Sequence, residues 1–98
     1  MSYELIWSGR ALKRLDAIAT HIAASNPQAA ADAVERIGMA VDRLVEYPHS
    51  GRHGRLNNTR ELVLADIPYI IPYRVIGKQV YLITVLHAAQ QWPLSRRW

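Results

Sequence analysis

The segment YIIPYRV at residues 69–75, followed by VLHAAQQWP at residues 85–93, is the most informative part of the sequence. The first segment and the stretch from Gln79 to His87 are rich in β-branched and aromatic residues, which predicts two strands joined by a short turn at Gly77-Lys78. A further strand is predicted upstream, from Arg60 to Ala65. Strands joined by short connections pair antiparallel, so the C-terminal half is predicted to form an antiparallel sheet.

The N-terminal part has the pattern of a short strand followed by an amphipathic helix. Residues from Tyr3 to Trp7 alternate as in a strand. From Ser8 the period changes to that of a helix, with Ser8 as the N-cap and an end near Ser25. The apolar stripe of this first helix is Ala11, Leu12, Leu15, Ile18, Ala19 and Ile22.

Asn26-Pro27 predicts the start of a second helix that runs to about Glu46. Asn offers an acceptor to the free amides, and Pro at the first helical position loses no hydrogen bond. The predicted class is α+β, in which an N-terminal strand and an antiparallel helical hairpin pack on one face of a mainly antiparallel sheet, in a single domain over residues 1–98. The inward stripe of the second helix is predicted to be Ala30, Ala33, Val34, Ile37, Val41, Leu44 and Val45.

The last predicted strand is largely apolar on both faces. Two helices cover only one face of a sheet, so the other face is predicted to be a binding groove or to be covered by a partner. Sheet twist and the C-terminal tail are the alternative cover. One face consists of Val80, Leu82, Thr84 and Leu86, and the other of Tyr81, Ile83, Val85 and His87.

Length, charge and cysteine content limit the function classes. The chain has 98 residues, enough for one domain, and no cysteine, which excludes a disulfide framework and a thiolate zinc site. Its formal charge is +4, and ten of its twelve basic residues are arginine, whose planar fork suits phosphate and carboxylate. An acidic partner or a nucleic acid is therefore expected, with an ordinary basic surface as the alternative.

No cofactor, metal or membrane is predicted. The chain has no apolar run of membrane-spanning length and no signal-peptide pattern, which favours a cytoplasmic protein. It also lacks a glycine-rich phosphate loop and a Gly-x-Ser-x-Gly elbow. His49 and His53 lie four positions apart, but in a glycine-containing loop, which favours a flexible, solvated segment over a metal site.

One set of side chains could cleave RNA by activating its own 2′-hydroxyl. That reaction needs a general base, a general acid and cations for the charge on phosphorus. His87 could be the acid or base, and Arg60 or Arg74 the cation. The alternative roles are structural, with Arg74 paired with Glu61 or Asp66 and His87 as the hydrogen-bonded end of the last strand.

The order of these motifs resembles the ParE/RelE toxin superfamily of type II toxin-antitoxin systems, and the ParE branch in particular. The resemblance implies the fold described above and a cognate antitoxin whose C-terminal segment wraps the toxin. Operator DNA would be reached only through that antitoxin. The motifs are the helix from Ser8 to Ile22, Asn26-Pro27, Tyr47-Pro48, Gly54-Arg55, residues 59–63 and the two segments at 69–75 and 85–93.

The two branches differ at positions where this chain can be compared. RelE-type members are ribosome-dependent endoribonucleases, and they usually carry an arginine three residues before the tyrosine that matches Tyr73, where this chain has Ile70. Their strand-end basic or His/Tyr pair falls at Ala88, Ala89 and Gln90 here. ParE-type members lack this catalytic set and act on DNA gyrase through protein binding.

The resemblance thus implies a gyrase-inhibiting toxin rather than an enzyme. The alternatives are a ribosome-dependent endoribonuclease using Arg60, Arg74 and His87, and an inactive relic that binds only its antitoxin. The antitoxin is expected along the sheet edge and on apolar positions that the hairpin leaves exposed, namely Leu12, Leu15, Ile18 and Ile22. The expected target-binding residues are Arg74, His87, Trp92, Arg96, Arg97 and Trp98.

Overall fold

The computed structural model describes residues 3–89 and places two helices on one face of a six-stranded sheet. The strand order is β1-β5-β4-β3-β2, and β6 pairs with β4. The pairs are antiparallel except for β1 and β5, which are parallel. The predicted α+β class is confirmed. The elements are β1 (Glu4–Trp7), α1 (Gly9–Ala23), α2 (Pro27–Asp42), a 3₁₀ turn (Arg43–Val45), β2 (Arg52–His53), β3 (Arg60–Val63), β4 (Tyr69–Ile76), β5 (Gln79–Leu82) and β6 (Leu86–His87).

Both helices begin at the predicted caps. The Ser8 hydroxyl oxygen accepts the amide hydrogen of Ala11 at 3.0 Å, and the Asn26 side-chain oxygen accepts that of Ala29 at 3.1 Å. The second helix ends at Asp42, and a tighter 3₁₀ turn from Arg43 to Val45 follows it directly. The prediction of one helix to about Glu46 was therefore too long. None of the helices within residues 3–89 is long and apolar enough to cross a membrane.

The core lies between the hairpin and the sheet. The predicted inward stripe of the second helix is confirmed at Ala30, Ala33, Ile37 and Val41 in α2 and at Leu44 in the 3₁₀ turn, all of which are buried. Val34 is instead exposed, and Ala40 is buried. The buried stripe therefore includes Ala40, whereas Val34 lies outside it and faces solvent.

The predicted last strand is interrupted by a β-bulge. Tyr73 is opposite Leu82 and Ile70 is opposite Leu86. Between these pairs lie two residues of β4 but three residues, 83–85, of the neighbouring chain. One extra residue on one strand is the defining feature of a bulge, and it switches the side-chain alternation beyond it.

Pro72 explains why the strand breaks here. Its carbonyl oxygen accepts the Ile83 amide hydrogen at 2.9 Å, but proline has no amide hydrogen to return to Ile83. The Ile83 carbonyl oxygen instead accepts the hydroxyl of Ser8 at 2.8 Å. Nearby, Arg14 Nε donates to the Val85 carbonyl oxygen at 3.2 Å. The first helix and its N-cap residue therefore supply donors to carbonyl groups of the interrupted strand.

The bulge changes the two predicted faces of the last strand. Leu82 and Val85 belong to the core under the helices, whereas Ile83 and Leu86 pack together with Leu56 in a second cluster. The predicted grouping of Leu82 with Leu86 was therefore wrong, because the extra residue reverses the alternation. The second face is also partly covered by the chain itself, through the loop that carries Leu56.

Tyr73 fastens β4 to the loop that follows the helices. The side chain is fully buried, and its hydroxyl donates to the Pro48 carbonyl oxygen at 2.8 Å and accepts the Gly51 amide hydrogen at 2.9 Å. Burial raises the pKa of Tyr73, while the Gly51 hydrogen bond and the charge of Arg60 lower it in part. The segment predicted as a flexible loop is thus held at its start by a buried phenol.

We expect Tyr73→Phe to lower the free energy of unfolding by about 1–3 kcal/mol, because it leaves a buried carbonyl and amide without their partner. A phenol whose folded pKa is raised contributes stability that is fully present below about pH 10 and is lost as the pH rises above that value. Urea unfolding at neutral and strongly alkaline pH should therefore show that the unaltered protein loses more free energy of unfolding on going to alkaline pH than Tyr73→Phe does. Tyr81→Phe, at an exposed tyrosine, is the control and should behave like the unaltered protein. An equal alkaline loss in Tyr73→Phe and in the unaltered protein would contradict the assignment.

Candidate functional site

The three residues predicted for a nuclease lie at separate places on the sheet. Arg60 is opposite Tyr73 and His87 is opposite Tyr69, on the two sides of β4. Four positions of β4 separate these pairs, a rise of about 13 Å at roughly 3.3 Å per residue. Arg74 follows Tyr73 in β4, so its side chain points to the other face. The structure does not bring Arg60, Arg74 and His87 around one phosphate.

His87 lies in a cleft between β6 and α1 that also contains Arg14, His21 and Tyr69. Its ring meets Tyr69 edge-on, with ring centroids 5.6 Å apart. Its Nδ1 accepts the amide hydrogen of Ala89 at 3.1 Å, so the neutral imidazole carries its proton on Nε2. This contact matches the alternative in which His87 is the hydrogen-bonded end of the last strand.

Arg74 lies on the face away from the helices, where Tyr81 is its cross-strand neighbour. The two carboxylates that the sequence offered to it have arginine partners elsewhere. Asp66 binds Arg36 at 2.6 Å, and this hydrogen bond lowers the pKa of the Asp66 carboxyl. The half-buried Arg74 and the exposed Tyr81 thus lie side by side on this face, as a mixed basic and aromatic patch.

Glu61 anchors the β2–β3 hairpin from the same face. It is 1% exposed, and its Oε1 accepts hydrogen bonds from Arg52 Nη2 at 2.8 Å and Nε at 3.1 Å. Its Oε2 accepts the Arg55 amide hydrogen at 3.2 Å. A buried carboxylate needs such compensation, so this cluster fixes the hairpin on the sheet.

Four of the predicted target-binding residues lie outside the described residues 3–89. They are Trp92, Arg96, Arg97 and Trp98. The last described turn is held by the Ala88 amide, which donates to the Pro68 carbonyl oxygen at 2.7 Å. The described chain therefore ends beside the cleft that holds His87.

The predicted antitoxin-binding residues differ in exposure. Leu12 is 52% exposed, while Leu15 and Ile22 are half-buried against the core. Ile18 is only 8% exposed, because it faces the sheet from the middle of α1. The prediction that the hairpin leaves Ile18 exposed was wrong.

A shallow apolar groove runs between the two helices on their outer side, with a volume of about 510 Å³. Its small side chains leave room for a third helix to approach. Leu12 lies seven positions before Ala19 and thus extends the same stripe of α1. We call this the hairpin groove. It is lined by Ala19, Thr20, Ala23, Ala30, Ala31, Val34 and Glu35.

A second groove, of about 390 Å³, lies between the end of α2 and strand β3. Met39 beside it is 60% exposed and Val63 within it is 45% exposed. Arg36 and Arg43 flank these apolar side chains. Asp66 offsets the charge of Arg36, so Arg43 is the cation that favours an acidic residue in a segment bound here. We call this the α2–β3 groove. It is lined by Arg36, Ala40, Arg43, Tyr47, Ser50, Leu62, Val63 and Leu64.

The backbone of β3 borders this groove. Strand β2 pairs with β3 only at Arg60 and Glu61. The Leu64 amide donates inward to the Tyr69 carbonyl oxygen at 3.1 Å, so by alternation the amide and carbonyl of Val63 point outward. Within the described part of the chain, no strand pairs with the outer side of β3 at Val63. An exposed edge of this kind is a template for an added strand.

Sequence reasoning missed the arginines of the α2–β3 groove. Arg36 in α2 and Arg43 at its C-cap lie seven positions apart and therefore on the same side of the helix, a signal that is present in the sequence. What the sequence could not show is that the edge of β3 lies beside that side of the helix. Residues 3–89 contain no cluster of three or more His, Cys, Asp or Glu side chains that could hold a metal ion.

Comparison with known proteins places this fold in a family. Over residues 5–92 the sequence matches the family described as ParE toxin of type II toxin-antitoxin system, parDE. A putative toxin of Sinorhizobium fredii, Y4kP, is 63% identical over 87 residues, covering 89% of this chain and 90% of the relative. Toxin RelE2 of Caulobacter vibrioides is 38% identical over 87 residues, covering 89% and 97%.

A solved structure shows the same relationship. The structure described as the chromosomal ParDE TA system from P. aeruginosa matches with a TM-score of 0.79 and 31% identity, covering 87% of this chain and 95% of that chain. The fold and these matches define a toxin of a type II toxin-antitoxin system. The chain belongs to the ParE toxin family, within the ParE/RelE superfamily that the motifs indicated.

Proposed function

We propose that this toxin acts as a ParE-type inhibitor of DNA gyrase and is neutralised by a cognate antitoxin. The match to the parDE family and the 31% identity to a chain of a ParDE system support the ParE branch. Inhibition would occur through protein binding, with the Arg74 and Tyr81 patch, His87 and the C-terminal residues Trp92, Arg96, Arg97 and Trp98 as the target-binding surface.

The observation that carries this proposal is the separation of Arg60, Arg74 and His87. General acid-base cleavage of RNA requires its groups within hydrogen-bonding reach of the same phosphodiester. Here Arg60 and His87 lie on strands that flank β4 on opposite sides, and Arg74 points to the other face of the sheet. Binding to a large protein target needs no such convergence, since a few anchor residues spread over a surface are sufficient.

The antitoxin is proposed to use the two grooves. A helix would pack along the hairpin groove beside Leu12, and an extended segment would add to the outer edge of β3 at Val63. The cation at Arg43 favours an acidic residue in that segment, whereas the charge of Arg36 is offset by Asp66. Operator DNA would be contacted only by the antitoxin.

Pulse-labelling in cells tests the proposed target. DNA and protein synthesis are measured minutes after the toxin is induced without its antitoxin. We expect DNA synthesis to fall first. An earlier fall in protein synthesis would assign the ribosome as the target, and no fall in either would leave a protein that only binds its antitoxin.

Variants then test the proposed surface. Removal of the residues after Pro93 should relieve growth arrest more than any single change, because it takes away several proposed anchor residues at once. Arg74→Ala should give partial relief, whereas Arg10→Ala, an exposed arginine at the start of α1, should give none. Complete loss of toxicity in Arg74→Ala or His87→Ala, with antitoxin binding retained, would favour a nuclease instead.

A further inference from the structure

The two faces of the β2–β3 hairpin differ in charge. Arg52 is opposite Glu61 and His53 is opposite Arg60, so the two pairs project to different faces. On the first face, Glu61 binds Arg52 at 2.8 Å and lies 3.8 Å from Arg55 Nε. The carboxylate therefore offsets part of the arginine charge on that face.

The second face forms a polar pocket of about 300 Å³. His53 and Arg60 are cross-strand neighbours, which places their side chains side by side. None of the lining residues is acidic, so the charge of Arg60 is not offset within the pocket. The lining residues are His49, His53, Asn58, Thr59, Arg60 and Val75.

Arg60 is oriented by the loop before β2. Its Nη1 donates to the His49 carbonyl oxygen at 3.1 Å and to the Gly51 carbonyl oxygen at 2.9 Å. Both bonds use the same nitrogen, and no hydrogen bond from Nε or Nη2 to any of residues 3–89 is seen. A guanidinium held in this way can offer its other two nitrogens to an anion.

The backbone around the pocket is fixed before any ligand binds. The Gly51 amide is bonded to the buried Tyr73 hydroxyl at 2.9 Å. The Gly54 amide donates to the Thr59 carbonyl oxygen at 2.8 Å and closes the hairpin. A site whose backbone is already ordered loses less entropy on binding.

We propose that His49, His53 and Arg60 form a binding site for the phosphate group of a nucleotide or a nucleic acid. The guanidinium offers two directed donors and each imidazole one more, which suits an anion with several acceptor oxygens. Val75 is the one large apolar residue of the lining, so the pocket offers little surface for the side chains of an acidic peptide. This site is separate from both grooves and does not depend on gyrase being the target.

Fluorescence anisotropy with the purified toxin tests the site. The probes are a labelled mononucleotide, labelled single-stranded RNA and DNA oligonucleotides, and labelled polyglutamate. We expect Arg60→Gln to weaken oligonucleotide binding about tenfold or more, as loss of a charge-assisted contact does. We expect His53→Gln, at an exposed side chain, to weaken it by about threefold.

The matched control is Arg10→Gln, which removes the same charge from an exposed position on α1. Thermal unfolding verifies that each variant folds. If Arg60→Gln does not fold, Arg60→Lys takes its place, because lysine keeps the charge but lacks the planar guanidinium group. Equal binding of mononucleotide and oligonucleotides would assign the site to a free nucleotide, and tighter oligonucleotide binding to a nucleic acid. Equal losses in Arg10→Gln and Arg60→Gln, polyglutamate binding as tight as that of the oligonucleotides, or no binding of any phosphate probe would each overturn the proposal.

Discussion

Gly51→Ala is expected to lower the free energy of unfolding by about 3 kcal/mol, from overpacking and from the loss of a buried hydrogen bond. A Cβ at this position would lie 2.6 Å from the Tyr73 hydroxyl oxygen and 2.9 Å from the Glu61 carbonyl oxygen. The first atom is the end of a fully buried side chain and the second is backbone, so neither can move easily. Urea-induced unfolding measures the loss.

Gly38→Ala is the matched control. Position 38 lies inside α2, and a Cβ there meets no atom within 4 Å. Alanine in a helix interior is more stable than glycine by about 0.5–1 kcal/mol, so this variant should gain stability. Adding Tyr73→Phe to Gly51→Ala should not restore stability, because the Glu61 carbonyl remains. A Gly51→Ala protein as stable as the unaltered one would mean that the loop shifts to accept the methyl group.

Local signals in the sequence predicted the helices well. Ser8 and Asn26 cap them through side-chain bonds that reach only three residues along the chain, so a short stretch of sequence contains the whole interaction. The helical period likewise identified most of the buried positions of α2. The fold class follows from these elements, because the hairpin must cover one face of the sheet.

The bulge could not be predicted from local patterns. Pro72 was recognisable as a residue without an amide donor, but the result depends on the Ser8 hydroxyl, 75 positions from Ile83 in sequence. A strict alternation predicts His87 on the same face of the sheet as Tyr81. The reversal at the bulge places it beside Tyr69 and α1 instead, and this separates it from Arg74.

The same limit applies to the candidate sites. The sequence indicates Arg60 as a candidate catalytic cation, but for its neighbours His49 and His53 it favours a solvated loop. The two histidines lie beside Arg60 because His53 pairs with it across the hairpin and because the His49 carbonyl oxygen accepts a hydrogen bond from its guanidinium. Pairing of a two-residue strand leaves little trace in sequence, so the pocket becomes visible only in the folded chain.

Val63→Pro is expected to weaken binding of the cognate antitoxin about 100-fold, if the antitoxin adds a strand to β3. Proline removes the outward amide of Val63 and leaves a carbonyl of the added strand without its donor. The inward bonds of β3 to β4 are carried by neighbouring positions such as Leu64, so the sheet should remain intact. Proline is tolerated on an edge strand where the amide faces solvent. Calorimetric titration of the toxin with the antitoxin measures the affinity.

Val63→Thr separates the backbone from the side chain, because it keeps the amide and a β-branched shape. Its affinity should fall by about threefold at most, since only part of one exposed apolar side chain is lost. Leu12→Ala in the hairpin groove provides an independent comparison, because it removes apolar contact without touching the edge of β3. If Val63→Pro and Val63→Thr weaken binding equally, the α2–β3 groove binds the antitoxin through side chains alone, and no strand is added to β3. If Leu12→Ala weakens binding while both Val63 variants bind normally, the antitoxin occupies the hairpin groove and not the edge of β3.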